Sequence, residues 1–367
     1  MDAWAVACAA SASSAVIYVP PGTYVVKNIV FSSQGHCSSS DGKDDKGTNS
    51  GTSVTFRIDG KLVPPSDYKV IAQSDKWISF EGVKGVTIAG GTLDAGGAAV
   101  WDCKLKASSS TDNNICIQGA TSLTFTNSKD VVINGLRSIN SQMFHIVING
   151  CERVNVRGVM ISAPGNSPNT DGIHVQMSTG VTIMSSGIKT GDDCISIGPG
   201  TKNLWMESIA CGPGHGISIG SLAKELNEAG VENVTLRTAA FTGTQNGLRI
   251  KAWGRPSKGY VKGVLFQQAT MNDVENPILI DQNYCPHDEN CPNQVSGVKI
   301  SDVRYQDIHG TSATQVAVKF DCSDKNPCTA IRLENVKLTY DQGLPAQSSC
   351  VNANGSAFGV VDPASCL

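Results

Sequence analysis

The most regular feature of the chain is a short segment in which apolar and polar residues alternate, as in Val86-Thr87-Ile88 and Val154-Asn155-Val156. Alternation with a period of two predicts strands that bury one face. Successive copies are 45, 23, 27, 23, 30, 30, 34 and 33 residues apart, and the first interval fits two turns of about 22 residues. The copies begin at Val86, Val131, Val154, Val181, Leu204, Val234, Val264, Val298 and Ile331.

Strands that return at this spacing, separated by Gly, Asn and Ser, predict a solenoid. A β-sandwich would instead place turn signals every 8–12 residues or so, without a long-range period. One coil alone buries too little apolar surface to be stable, whereas stacked coils share a continuous core. The chain is therefore predicted to be all-β, a parallel β-helix that forms a single domain over residues 1–367.

Both ends of a solenoid need a cover, because an open sheet edge invites aggregation. Residues 2–10 are predicted to form a short helix with Trp4 and Cys8 on one face, so that residues 1–12 make an N-terminal cap. Residues 342–367, which have weak periodicity and two cysteines, are predicted to close the other end. The segment 39–53, rich in Ser, Gly, Asp and Lys, is predicted to be a surface loop.

The composition supports a repetitive β fold and argues against several other classes of protein. The chain has 38 glycines, 17% charged residues and 6% aromatic residues, which together with few amphipathic stretches disfavours an all-α fold. A net charge of −3 argues against nucleic acid or an anionic membrane as a partner. The sequence contains no run of about 18 apolar residues, so no transmembrane helix is predicted. Residues 1–5 lack the basic start and apolar stretch of a signal peptide, so none is expected in this sequence.

Thirteen cysteines indicate an oxidising compartment, and hence a secreted protein. Cys151 is left over from six candidate pairs and is predicted to be a buried free thiol. A zinc site is the competing explanation, but no pair has Cys-x-x-Cys spacing. The sequons Asn233-Val234-Thr235 and Asn354-Gly355-Ser356 fit a secreted glycoprotein. The candidate pairs, whose connectivity the spacing leaves open, are Cys8 with Cys37, Cys103 with Cys116, Cys194 with Cys211, Cys285 with Cys291, Cys322 with Cys328, and Cys350 with Cys366.

Four polar segments beside the repeat strands carry the candidate chemistry. The steps from Asp171 to Asp192, from Asp192 to His215 and from His215 to Arg249 are each about one coil of the repeat. These side chains are therefore predicted to lie above one another on one face of the solenoid. Lys251 should point the same way as Arg249, because side chains alternate along a strand. The segments are Asn169-Thr170-Asp171, Gly191-Asp192-Asp193, Gly214-His215-Gly216 and Arg249-Ile250-Lys251.

Asp171, Asp192 and Asp193 together suit the hydrolysis of a glycosidic bond, which needs one acid and either a nucleophile or a base. Neighbouring carboxylates disfavour simultaneous ionisation, so one of the three should keep a proton at a raised pKa. The alternative is that these aspartates only cap turns at strand ends. Calcium is another use of clustered carboxylates, but Arg249 and Lys251 would repel it, and neither a metal nor a cofactor is expected.

Arg249 and Lys251 are candidate ligands for a carboxylate on the substrate, since Arg offers a planar fork and Lys a point charge. The alternatives are a solvated edge, or pairing with the aspartates themselves. His215 lies between two glycines and is predicted to orient an aspartate or tune its pKa. His145 and His174 are predicted to be packing residues.

With these residues assembled, the chain resembles glycoside hydrolase family 28, the polygalacturonases, and among them the plant-type enzymes. The resemblance runs from Ala3 to the C-terminus and implies a right-handed parallel β-helix that hydrolyses homogalacturonan, the acidic chain of pectin, with inversion. Four motifs carry it in the family's order and spacing: APGNSPNTDGIHV at 163–175, TGDDCISIG at 190–198, CGPGHGISIGS at 211–221 and GLRIKAW at 247–253.

The resemblance also implies a role for each matching residue. Asp192 matches the general acid, Asp171 and Asp193 match the pair that activates water, and His215 matches the histidine that supports the acid. A separation of about 6.5–9.5 Å between acid and base would admit that water. A disulfide between Cys194 and Cys211 is implied as well, and a secreted monomer of the cell wall with pectin and proteinaceous inhibitors as partners is expected. The implied substrate-binding residues are Asn169, Arg249, Lys251 and Tyr284.

Two features depart from the family pattern. Family members carry an upstream Gly-Ala-x-Gly-Asp-Gly strand and a Thr-Asp-Asp before the first helix, whereas this sequence starts inside that helix, so its N-terminal cap is expected to be incomplete. Ala223 stands where the family commonly has Gly, and it would be strained if φ there is positive. Endo and exo action are both compatible with the sequence. Two competing functions are a pectate lyase that cleaves by elimination with calcium, and a non-catalytic carbohydrate-binding relative.

Overall fold

The structure is a computed structural model that describes residues 2–10, 13–32, 53–109, 116–286, 289–341 and 343–367. Most of the predicted surface loop at 39–53 lies outside these residues, and so does Cys37. No helix in the described part of the chain is long and apolar enough to cross a membrane. The helices there are α1 (Asp2–Cys8), α2 (Lys69–Ala72) and α3 (Ala98–Ser109).

The strands form two long sheets whose neighbours in space come from successive coils, which makes the molecule a right-handed parallel β-helix as predicted. The 16-stranded sheet A contains β1 (Ser14–Val19), β2 (Thr23–Val25), β4 (Ser53–Val63), β6 (Val86–Asp94), β8 (Lys129–Asn134), β9 (Arg137–Ile139), β11 (Glu152–Arg157), β12 (Met160–Ser162), β14 (Thr179–Lys189), β16 (Lys202–Cys211), β18 (Val231–Thr242), β20 (Tyr260–Val274), β22 (Lys299–Ser312), β24 (Cys328–Tyr340), β25 (Leu344–Pro345) and β27 (Ala353–Asp362). The 11-stranded sheet B contains β3 (Ile29–Ser32), β5 (Lys76–Glu81), β7 (Thr121–Thr126), β10 (Ile146–Asn149), β13 (Ile173–Gln176), β15 (Ile195–Ile197), β17 (Ile217–Leu222), β19 (Asn246–Trp253), β21 (Asn276–Tyr284), β23 (Val316–Asp321) and β26 (Gln347–Val351).

The predicted repeat forms the inward face of sheet A. Val131, Val154, Val181, Leu204 and Val234 lie side by side in five consecutive strands. Each is at most 2% exposed. The apolar residues of one coil therefore stack directly on those of the next, and this stacking supplies the continuous core that no single coil could form.

The predicted length of the first coil is wrong. Ile88 of β6 pairs directly with Ile133 of β8, so the interval between the first two copies is one coil and not two. The additional residues of this coil include helix α3 (Ala98–Ser109), which lies between β6 and β7. A coil can take such an insertion at a corner because the strands on either side keep their register.

One of the nine repeat copies was assigned to the wrong residues. Val264 of β20 pairs with Val303 of β22, whereas the predicted copy began at Val298. Ile300, which belongs to that copy, pairs with Val261 instead. Each long strand of sheet A has two inward-facing sets of apolar residues, and the alternation alone does not distinguish them.

The two inward-facing sets are separated by a residue with positive φ, which recurs at the same position in successive coils. A second such position recurs further along each strand. A single left-handed residue turns the chain within the long strands, and at Gly135 and Gly158 it divides the strand in two. This explains why Asn, Asp, Ser and Gly interrupt the repeat. The first position is occupied by Asp130, Arg153, Gly180, Asn203, Asn233, Gly263, Asp302 and Ala330, and the second by Gly135, Gly158, Ser185, Ser208, Thr238, Gln268, Asp307 and Asn335.

Helix α1 covers the first coils, as the sequence indicated. Trp4 is 8% exposed, and its ring lies 5.4 Å from that of Phe31 and 5.9 Å from that of Phe56. Phe80 continues this aromatic cluster along the core to Phe125, with ring centroids 4.8 Å apart. At the opposite end, residues 347–362 add β26 to sheet B and β27 to sheet A, and so continue the coil.

The described residues contain five disulfides, and each joins a candidate pair from the sequence. The pair Cys8 with Cys37 extends outside the described residues. Cys151 is free and buried, as expected for a packing thiol. The five disulfides are Cys103–Cys116, Cys194–Cys211, Cys285–Cys291, Cys322–Cys328 and Cys350–Cys366.

Candidate functional site

The candidate residues come from successive strands of sheet B, and the pairing of these strands gives the true register. Ile173 pairs with Ile195 across β13 and β15, and Ile195 pairs with Ile217 across β15 and β17, so one coil runs from each isoleucine to the next. Asp171, Asp193 and His215 each stand two positions before one of these isoleucines and are therefore equivalent. The predicted column contained Asp192 in place of Asp193 and so was one position away from this register.

The predicted alignment of Arg249 with His215 is wrong, because Arg249 pairs with Ser218 across β17 and β19. The coil that carries Ile217 to Leu248 is longer than the two coils before it. The Arg249 side chain nevertheless reaches back across two coils to Asp193. The structure therefore brings the acidic and basic residues together through side-chain length and not through one vertical column.

Two loops that precede the strands hold the aspartates by local hydrogen bonds. The Gly191 N–H donates to Thr170 Oγ1 at 3.1 Å, which ties the second acidic segment to the first. Thr190 Oγ1 donates to the main-chain oxygen of Asp192 at 2.9 Å. A Cβ at Gly191 would lie 2.2 Å from the Ser167 oxygen, so only glycine allows the two loops to approach this closely.

Asp193 is the anionic centre of the site. Its carboxylate accepts hydrogen bonds from Arg249 Nη2 and Lys251 Nζ, both at 2.8 Å, and from Ser218 Oγ at 2.9 Å. The side chain is 2% exposed, and those of Arg249 and Lys251 are 8% and 9% exposed. Burial alone would raise the pKa of Asp193, but Lys251 and Arg249 outweigh it and hold that pKa below its usual range. Asp193 is therefore charged.

Asp171 has the opposite electrostatic character. Burial raises the pKa of Asp171 well above its usual range, and the carboxylates of Asp192 and Asp193 raise it further. Ser196 and Lys251 only partly oppose this shift. The cluster of three carboxylates therefore keeps a proton at a pH where isolated carboxyl groups would all be ionised, as the sequence indicated.

Asp192 is the most accessible of the three aspartates, with 20% of its side chain exposed. Its Oδ1 accepts a hydrogen bond from the Asp193 N–H at 2.8 Å and lies 3.1 Å from His215 Nδ1. The His215 side chain is 37% exposed. Its contact with Asp192 fits the predicted orienting role.

Asp192, Asp193 and His215 also form a group with the spacing of a metal site, since one potential ligand atom of each lies within 4.8 Å of the others. Both carboxylate oxygens of Asp193 already accept hydrogen bonds from cations, Oδ1 from Arg249 and Oδ2 from Lys251. These two positive charges would repel a divalent ion, so the donor set does not suit a metal. One carboxylate oxygen of Asp192 therefore lies within 4.8 Å of one of Asp193. This is closer than the separation of about 6.5–9.5 Å expected between an inverting acid and base, so the spacing of this pair does not by itself predict inversion.

Tyr284 and Asn169, the remaining candidate binding residues, each lie close to a lysine. The Tyr284 ring faces both cations, with its centroid 5.3 Å from Lys251 Nζ and 5.9 Å from Arg249 Cζ. It also packs edge-on against Trp253, with ring centroids 5.2 Å apart. Asn169 is exposed, and its Oδ1 lies 3.5 Å from Lys104 Nζ.

Sequence reasoning missed several residues that support the site. Ser218 donates to Asp193, and its hydroxyl also accepts from Arg249 Nε at 2.9 Å. His174 was predicted to be a packing residue, and its Nδ1 lies 2.8 Å from Ser196 Oγ on the next coil. The repeated Ile-Ser-Ile-Gly at positions 195–198 and 217–220 carries the true register and would have located both serines.

Ala223 meets the condition under which the sequence analysis expected strain, a positive φ. It is buried, with φ at +64°. Its N–H donates to Glu228 Oε2 at 2.5 Å, and the Lys224 N–H donates to Glu228 Oε1 at 3.2 Å. These two hydrogen bonds to Glu228 hold the backbone of Ala223 in the left-handed region, which is unfavourable for a residue with a Cβ.

His145 gives a testable dependence of stability on pH. It is fully buried, its Nδ1 lies 2.9 Å from Ser138 Oγ, and its Nε2 has no hydrogen-bond partner among the described residues. Burial lowers the pKa of His145 from 6.5 to about 3. Between these values the unfolded chain binds a proton that the folded chain does not. The free energy of unfolding is therefore expected to fall as the pH drops from 6.5 towards 3, by up to about 1.4 kcal/mol per pH unit from this residue.

The His145→Gln variant should flatten this dependence, which urea unfolding at pH 6.5 and at pH 4.5 would measure. His309→Gln is the matched control, since His309 is exposed on β22. Equal slopes for the wild type and His145→Gln would contradict the assignment.

Comparisons with known proteins agree with one another. The model of the family described as glycosyl hydrolases family 28 matches residues 17–366. The chain is similar to a polygalacturonase from Prunus persica, with 59% identity over 367 residues that cover 100% of this chain and 88% of that protein. It is 40% identical to an exopolygalacturonase from Platanus acerifolia, over 99% of this chain and 92% of that protein.

A solved structure shares the fold. The crystal structure of endo-xylogalacturonan hydrolase from Aspergillus tubingensis matches with a TM-score of 0.76 and 22% identity, over 94% of this chain and 92% of that chain.

Proposed function

The chain belongs to glycosyl hydrolases family 28, and on this premise we propose that it is a polygalacturonase that hydrolyses the α-1,4 bonds of homogalacturonan through Asp171, Asp192 and Asp193. It is a glycoside hydrolase. The assignment rests on the different environments of the three carboxyl groups. Asp193 is charged, Asp171 has a raised pKa, and Asp192 is accessible. Separated carboxyl environments of this kind are what acid–base hydrolysis requires.

We assign the general acid to Asp192. An acid must hold a proton and reach the glycosidic oxygen to deliver it. The three carboxyl groups together keep one proton, because burial and the neighbouring carboxylates raise the pKa of Asp171. That proton is delivered through Asp192, which exposes 20% of its side chain whereas Asp193 exposes 2%. The contact with His215 at 3.1 Å would fix the orientation of the Asp192 carboxyl group. This assignment agrees with the role that the sequence resemblance implies.

Asp193 and Asp171 then activate the attacking water. Asp193 stays charged beside Arg249 and Lys251, so it can accept the proton that the water loses. Asp171 occupies the equivalent position on the preceding coil and can hydrogen-bond to the same water. Attack from the face opposite the leaving group would invert the anomeric centre, and inversion is proposed from the resemblance of these residues to the family and not from the spacing of the carboxylates.

The substrate-binding roles of Arg249, Lys251, Tyr284 and Asn169 are part of the same proposal. Lys251 uses one of its three N–H donors for Asp193, which leaves donors for a sugar carboxylate. The Tyr284 ring beside it offers an apolar surface for the sugar. Asn169 is exposed beside Lys104 and can contact a neighbouring sugar.

We further propose that the protein is a secreted, glycosylated monomer of the extracellular space or cell wall. The support is the five disulfides, which persist in oxidising compartments, and the similarity to plant polygalacturonases. We also propose that residues 1–367 form a single β-helix domain. Pectin is then the main partner, and proteinaceous inhibitors of the cleft are a second class.

A time course on polygalacturonate tests the function. Hydrolysis predicts new reducing ends without an ultraviolet-absorbing unsaturated product, and proton NMR of the first product would show an inverted anomer. An unsaturated product that depends on calcium would instead indicate a lyase, and no product would indicate a non-catalytic relative. Rapid loss of viscosity with mixed oligomers would mean endo action, whereas monomer from the outset would mean exo action.

A further inference from the structure

Helix α3 (Ala98–Ser109) is anchored to the β-helix by a buried tryptophan and a disulfide. Trp101 is 6% exposed, and its indole N–H donates to the Ser141 main-chain oxygen at 3.1 Å. The disulfide Cys103–Cys116 tethers the same stretch of the helix two residues further on. The side chain of Lys104, the residue after Cys103, therefore projects from an anchored part of the helix.

The Lys104 side chain extends from α3 towards Met143 and Asn169. Its Nζ lies 2.8 Å from Met143 Sδ and 3.5 Å from Asn169 Oδ1. The side chain is half-buried, and burial lowers the pKa of Lys104 while the charge of Asp192 opposes this shift. Lys104 thus lies within electrostatic range of the accessible aspartate.

Lys104 differs from the other two cations because none of its charge is used in an ion pair within the described part of the chain. Arg249 and Lys251 each form a buried ion pair with Asp193. Among the described residues, no carboxylate lies within ion-pair distance of Lys104. An anionic group that enters the cleft beside Asn169 would therefore meet a cation whose charge is not already neutralised.

We propose that Lys104 is a third substrate-binding cation, which holds the carboxylate of a galacturonate residue at a subsite bounded by α3, Asn169 and Asp192. This inference rests on the proposed function, because it takes the acidic polymer as the substrate. Methyl esterification removes the negative charge that Lys104 would bind. Lys104 is thereby a specificity-determining residue that favours free galacturonate at this subsite.

The test compares Lys104→Met, which keeps the length of the side chain, with Lys104→Arg, which keeps the charge. Lys104→Met is expected to raise KM for polygalacturonate about tenfold with kcat changed by less than about twofold, since one charge-assisted hydrogen bond is lost. Lys104→Arg should stay within about threefold of the wild-type KM. The preference for polygalacturonate over highly methyl-esterified pectin should fall about tenfold in Lys104→Met only.

Lys262→Met is the matched control, since it removes one exposed positive charge from β20 in the other sheet and should leave KM unchanged. An unchanged KM in Lys104→Met would overturn the proposal, and so would a shifted pH–rate profile at constant KM, which would mean that Lys104 acts only on Asp192. Calorimetric binding of trigalacturonate separates this inference from the proposed function. A wild type that binds the trimer but releases no reducing ends from polygalacturonate would refute the function alone, whereas equal binding by Lys104→Met would refute the subsite.

Discussion

Replacing Asp192 by asparagine is expected to abolish hydrolysis, with kcat reduced by about 10³-fold or more. The amide has nearly the shape of the acid but cannot protonate the glycosidic oxygen, and general acid catalysis contributes about 10²–10⁴-fold. The fold should tolerate the change, because the asparagine oxygen can still accept the hydrogen bond that the Asp193 N–H donates to Asp192 Oδ1 at 2.8 Å. Loss of activity without loss of structure is therefore the expected signature.

Release of reducing ends from polygalacturonate measures this effect, and thermal unfolding measures the structure. Asp302→Asn is a suitable control, since Asp302 is exposed in sheet A at φ +55°, a conformation that asparagine also adopts readily. Near-normal turnover by Asp192→Asn would remove Asp192 as the acid and would direct attention to Asp171, whose pKa is raised by burial.

The architecture could be predicted from the sequence because each coil repeats the same physical requirement, an apolar row facing a continuous core. The errors arose where a coil departs from the repeat. The interval from Val86 to Val131 contains helix α3, and the length of a corner insertion does not alter the strand pattern on either side. In β20 and β22 the chain has two inward rows, so the alternation at Val298 matched the wrong one.

The candidate site was predictable in its membership but less so in its arrangement. The spacing predicted a column of Asp171, Asp192 and His215 that differs from the true register by one position at Asp192. The error is this small because the coils there are short and regular. Nothing in the spacing shows that Arg249 and Lys251 share one buried carboxylate, since that depends on side-chain direction in three dimensions. Lys104 lies in an insertion outside the repeat, where periodicity carries no information.

The buried ion pairs change what is expected of Lys251→Ala. From sequence alone this variant should mainly weaken substrate binding and so raise KM. In the structure, Lys251 Nζ lies 2.8 Å from Asp193 Oδ2 in a site where the Asp193 side chain is 2% exposed. Removal of one partner leaves a poorly compensated buried charge, so the free energy of unfolding is expected to fall by about 3 kcal/mol as well. The pKa of Asp193 should rise, and kcat should fall together with the increase in KM.

The loss of stability should itself depend on pH. The pKa of folded Asp193 lies below its unfolded value of 3.8, so this group stabilises the native state above that value, and the contribution disappears as the pH falls through the folded pKa. Urea unfolding at pH 6 should therefore separate Lys251→Ala from the wild type, and the difference should narrow below pH 3.8. Lys262→Ala, which removes an exposed positive charge from β20, should match the wild type at both pH values. A variant with wild-type stability and a raised KM would show that Lys251 serves the substrate alone and that Arg249 is sufficient to compensate Asp193.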